Sequence, residues 1–174
     1  MAKKIAKQNK HSMCMAWCVA SVVIVVLVGA VALICVNHRR VVACDVKNIT
    51  LTPGQTSGAA GTIYQNIDLK NNGKAKCTLS GFPTAFLYGS NGYALGGGAA
   101  ARSNPSPSVI TLAHGQTAHT VLGYPQAGNF DPGVCSNPST SLKLYIPGAI
   151  TPLEASISTA WCPGFSETAI QTGI

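Results

Sequence analysis

The chain has 174 residues, only 10% of them charged, with 18 Gly and 10 Pro, a composition that disfavours long soluble helices and favours strands joined by turns. The net charge of +7 is split by position: Lys3, Lys4, Lys7 and Lys10 carry four of the twelve basic residues, and the remaining eight face five acids, leaving +3. With no basic run and no aromatic platform beside one, that remainder excludes nucleic acid as a partner.

After the basic tail of residues 1–12 comes MCMAWCVASVVIVVLVGAVALICV, residues 13–36, with no charge and no proline. At about 1.5 Å rise per residue, a helix of this length more than spans a hydrocarbon core about 30 Å thick. The four lysines before it, with His11, outweigh Arg39 and Arg40 after it. The expectation is a single-pass plasma-membrane signal anchor, with a cytoplasmic tail and an extracytoplasmic carboxyl terminus. Secretory signals have shorter apolar regions, of about 7 to 15 residues. Two alternatives remain in Val41-Val42-Ala43-Cys44: signal-peptidase cleavage before Cys44, giving a secreted form, and a lipobox in which Cys44 is acylated. Cys14, Cys18 and Cys35 read as polarizable fillers of the span and Trp17 as an interfacial anchor, while the small residues Ala16 and Ala20 are a weak signal for helix pairing.

Beyond a linker at 37–43, the pattern of residues 44–174 changes to period two. An irregular first strand around Val46–Leu51 is expected to end at a Pro53-Gly54 turn. Thr62–Lys70 alternates, with Ile63, Ile67 and Leu69 on one face, and Asn71-Asn72-Gly73 reads as a hairpin turn into a strand at Lys76–Ser80. Further strands are expected at Thr84–Tyr88, Val109–Leu112, Ala118–Tyr124, Ser141–Ile146 and Glu154–Trp161. A loop at 96–107 and one short helical turn within 128–139 separate some of them. About eight short strands at this spacing suit an antiparallel β-sandwich.

Cys44, Cys77, Cys135 and Cys162 make an even number outside the span, which in an oxidising compartment implies two disulfides. Of the three pairings, Cys44 with Cys77 and Cys135 with Cys162 is favoured, because each closes a contiguous stretch of about 30 residues, a loop size for which chain entropy contributes roughly 3 to 4 kcal/mol. None of these cysteines has the close spacing of a zinc knuckle, so no metal or other cofactor is expected.

The same residues resemble a family of actinobacterial secreted or membrane-attached domains, domain of unknown function 4232. The likeness is carried by Gly58–Tyr64, by Leu69-Lys70-Asn71-Asn72-Gly73, by the specific block Cys77-Thr78-Leu79-Ser80-Gly81-Phe82-Pro83, by Thr111–Ala118, and by Leu142–Pro147 with Cys162. His114 and the lone Pro147 depart from the pattern without touching the cysteines. The resemblance implies an immunoglobulin-like sandwich and a paired four-cysteine framework, and it implies no activity.

No catalytic constellation is visible. The chain has no Gly-x-Ser-x-Gly elbow, no His-Glu-x-x-His and no P-loop, and Gly96-Gly97-Gly98 lacks the last glycine of a dinucleotide fingerprint, with Ala101 in that place. Asp45, Asp68, Asp131, Glu154 and Glu167 are scattered. His114 and His119 read as surface residues, Trp161 as core packing beside Cys162, and Tyr88, Tyr93 and Tyr124 as half-buried structural residues with some capacity to meet a partner. The sequon Asn48-Ile49-Thr50 carries no weight in a bacterial setting. The expected function is a non-catalytic, membrane-tethered cell-envelope module that binds an extracellular protein, with a glycan or cell-wall binding module as the alternative and an enzyme the least favoured reading.

Overall fold

The computed structural model describes residues 41–172. The basic tail, the apolar segment 13–36 with its three cysteines, and most of the linker lie outside the described residues. Among the described residues, no helix is long and apolar enough to cross a membrane.

The described chain is all-β, with twelve strands and two single turns of 3-10 helix, at Val46–Asn48 and Ala127–Asn129. In chain order the strands are β1 (Val42–Ala43), β2 (Ile49–Ala59), β3 (Thr62–Asn71), β4 (Cys77–Leu79), β5 (Thr84–Tyr88), β6 (Ala100–Ala101), β7 (Ile110–Leu112), β8 (Thr117–Pro125), β9 (Ser141–Tyr145), β10 (Leu153–Ser156), β11 (Ser166–Glu167) and β12 (Gln171–Thr172). Each of the eight expected strands has a counterpart, and the four additional ones are two-residue ladders.

Three sheets result. The largest runs β2-β3-β8-β11-β6, with β12 also on β8; a second runs β10-β9-β5 and a third β1-β4-β7. Pairing is antiparallel except for β1 with β4 and β11 with β6, so the expected purely antiparallel pattern is corrected at these two short ladders. The inward residues of all three sheets meet in one core, which includes Ile67 and Leu69 of β3, Leu122 of β8, Leu87 of β5, Leu142 and Leu144 of β9, Leu79 of β4 and Leu112 of β7.

Two expected turns are displaced. β2 does not stop at Pro53-Gly54 but continues through it, with a register shift between Pro53 and Thr56. An edge strand tolerates proline because one side of its backbone has no ladder partner, so the missing N–H is not needed there. The hairpin turn is Ala60-Gly61, whose φ values of 48° and 75° are those of a two-residue turn with both central residues left-handed.

Asn71-Asn72-Gly73 does not form a hairpin. It carries the chain from β3 in the large sheet to β4 in the small one, and buried Asn71 organises the crossing. Its Nδ2 donates to the carbonyls of Ala75 and Leu112, each at 3.0 Å, and its Oδ1 accepts from the Gly73 N–H at 2.9 Å. Its backbone completes the set, the N–H donating to the Gln116 carbonyl and the carbonyl accepting from the Gly115 N–H.

Candidate functional site

β2 and β10 each have a ladder partner on one side only, and their Cα atoms come within 8 Å of each other. Two hollows open along this seam between the sheets. The larger, about 760 Å³, is walled by residues Cys44–Lys47 and Ile49–Leu51 on one side and Gly148–Glu154 on the other. Its sequence origin is plain: a proline-bounded loop, Pro147–Pro152, cannot extend β9 or β10, and so stands out as a lip.

The lip carries Ile150, which is 95% exposed. Charge surrounds it without converging. The Asp45 carboxylate accepts from the Lys47 N–H at 3.0 Å, capping the short 3-10 turn. Glu154 pairs with Lys143 at 3.2 Å, and its hydrogen bond holds the Lys143 ammonium above its ordinary pKa. Lys143 also lies 4.6 Å from the centre of the Tyr88 ring. Pairs this exposed contribute little to stability and more to the choice of partner.

The smaller hollow, about 380 Å³, lies where β2 passes its register shift and β10 ends. Pro53, Thr56, Ile63, Gln65, Tyr124 and residues Ser156–Thr159 line it. Gln65 Nε2 donates to the Gly54 carbonyl at 3.3 Å, and Ser139 Oγ holds the far wall by donating to the Ile157 carbonyl at 3.0 Å and accepting from the Thr159 N–H at 3.2 Å. Tyr124 is buried, stacked on Phe165 with ring centres 5.3 Å apart, and its hydroxyl has no hydrogen-bond partner. Burial pushes its phenol well above the ordinary tyrosine pKa.

The four cysteines singled out from the sequence form the bonds Cys44–Cys77 and Cys135–Cys162, with Cα atoms 4.8 and 4.5 Å apart. Cys44 is also part of the wall of the larger hollow. Trp161 is half-buried against the core, its Nε1 donating to the Gly97 carbonyl at 2.9 Å. A Cβ at Gly96 would overlap the indole, so the approach of Trp161 requires glycine at that position. The three tyrosines form no common platform: Tyr93 is exposed in the turn after β5, Tyr88 sits under Lys143, and Tyr124 is buried.

His114 is exposed, with Nδ1 3.1 Å from the Gly73 carbonyl. His119 departs from the expected surface position: it is 8% exposed on β8, between Asp68 of β3 and Gln171 of β12 in register, and its Nδ1 has no partner. No group of three or more His, Cys, Asp or Glu among the described residues could hold a metal ion.

Glu167, one of the five acids scattered along the sequence, proves to be buried. It accepts the Ala85 N–H at 3.0 Å, joining β11 of the large sheet to β5 of another. Desolvation pushes its carboxyl up to about 8, against the opposing pull of that hydrogen bond. A lone acid between the apolar residues of Phe165–Ile170 is the one signal that could have marked it.

No curated protein matches the chain. The model of the family described as Domain of unknown function (DUF4232) matches residues 44–172, nearly the whole of the β domain and both of its disulfides, and the chain belongs to that family.

Proposed function

We propose that this chain is a non-catalytic module that binds a protein partner outside the plasma membrane, with residues 13–36 as its single-pass tether and residues 44–174 as an immunoglobulin-like sandwich. The observation that carries this reading is the larger hollow. It is long and open, bordered by two strand edges, and has a fully exposed isoleucine on its lip and charges of both signs at its rim. An apolar anchor surrounded by polar groups is how protein interfaces are built, and loops held on a rigid β scaffold are where binding residues concentrate. Two disulfides among four cysteines support an oxidising compartment, hence the outer side.

Photo-cross-linking tests this reading. The full-length protein carrying a photoreactive residue at position 150 is irradiated in its native membrane, beside the same protein labelled at the exposed Tyr93. The reading expects a discrete protein adduct from position 150 and none from position 93. Equal labelling at both positions, or none at either, would overturn it.

A further inference from the structure

We propose that the smaller hollow is a binding site for one neutral, hydroxyl-rich sugar ring. Its volume of about 380 Å³ lies at the lower end of the range for small-molecule sites, about 300 to 1,000 Å³, and is large enough for a single pyranose with its substituents. The lining chemistry narrows the class further. Thr56, Ser156, Ser158 and Thr159 bring four hydroxyls, and Gln65 adds an amide whose nitrogen is held by Gly54, leaving its carbonyl oxygen to accept. Not one of the lining residues carries a charge at neutral pH, so an ionic ligand would be desolvated without compensation. A wholly apolar ligand would strip water from the hydroxyls and replace none of their hydrogen bonds.

Pro53, Ile63, Ile157 and the Tyr124 ring supply apolar surface against which the C–H faces of a pyranose pack. The Tyr124 hydroxyl itself is sealed from solvent, so this residue offers a ligand its ring and not its hydroxyl. The site is distinct from the larger hollow and its lip, and it stands or falls independently of a protein partner there.

The sugar could be a free monosaccharide or one unit of an envelope polymer, and the test separates them. The full chain in lipid nanodiscs is titrated with methyl glucoside, with N-acetylglucosamine and with the tetrasaccharide of the latter, and saturation transfer from protein to ring protons is read by NMR. Transfer to a sugar is expected, and Ser158→Phe, which fills the hollow, abolishes it. Thr56→Val, which removes one exposed lining hydroxyl while keeping the side-chain shape, weakens it about fivefold. Equal affinity for monomer and tetramer identifies a free sugar, and tighter binding of the tetramer identifies a polymer. No transfer to any of the three, or transfer that survives both substitutions, overturns the proposal.

Discussion

Glu167 shows how one side chain sets a property of the whole domain. Its carboxyl titrates at about 8 in the fold against an ordinary 4.5, so the folded state favours the neutral acid. A carboxyl with a raised folded pKa contributes stability that is fully present below its unfolded value and is lost as pH rises through the folded one. The thermal midpoint is therefore expected to fall between about pH 5 and pH 9, with roughly 1.4 kcal/mol of stability lost for each pH unit that separates the unfolded pKa from the folded one. Glu167→Gln keeps an acceptor for the Ala85 N–H and cannot ionise, so its midpoint is expected to stay level over that range. A Gln variant that follows the wild-type slope in calorimetry would show that another group is responsible. The sequence marks Glu167 only as a lone acid among apolar neighbours, Phe165, Ala169 and Ile170, which does not tell its burial. The acid lies in a two-residue strand, too short for any periodicity, and its burial depends on β5, 82 residues earlier at the Ala85 N–H.

At the level of elements, what could be read ahead of the structure was strand existence, and what could not was strand partnership. Ile63, Ile67 and Leu69 alternate with polar residues because β3 buries one face, a local property that needs no knowledge of neighbours. The Asn71-Asn72-Gly73 segment has hairpin composition, yet β4 pairs with β7 and β1 because Asn71 spends its side chain on Leu112 and Ala75. The same composition serves a turn or a crossing, and only distant partners decide between them. The candidate seam escaped for the same reason, since β2 and β10 lie far apart in the chain, at Ile49–Ala59 and Leu153–Ser156. Asn71→Leu leaves the buried Leu112 carbonyl, the part-buried Ala75 carbonyl and the Gly73 N–H without their donor or acceptor, and is expected to destabilise the domain by about 2 to 3 kcal/mol in denaturant unfolding. A loss below about 0.5 kcal/mol would mean that water reaches these groups and that the crossing is not organised by this side chain.

In the molecule as a whole, an apolar segment and a lysine-rich tail precede a β domain closed by two disulfides. These bonds join residues 33 and 27 positions apart, and a domain of this size draws a substantial part of its stability from such constraints. They form and persist mainly where the compartment is oxidising, so cysteine chemistry and the proposed orientation of residues 13–36 are one claim. The measurement that tests it most directly is the intact mass of the membrane-extracted protein after thiol alkylation, with and without prior reduction. A full-length chain that gains three alkyl groups before reduction, at Cys14, Cys18 and Cys35, and seven after it is the expected result. Seven groups before reduction would place the domain in a reducing compartment, and a lipid-bearing mass lacking residues 1–43 would replace the proposed tether with an acylated Cys44 and leave Cys77 without its partner; either result would contradict the account.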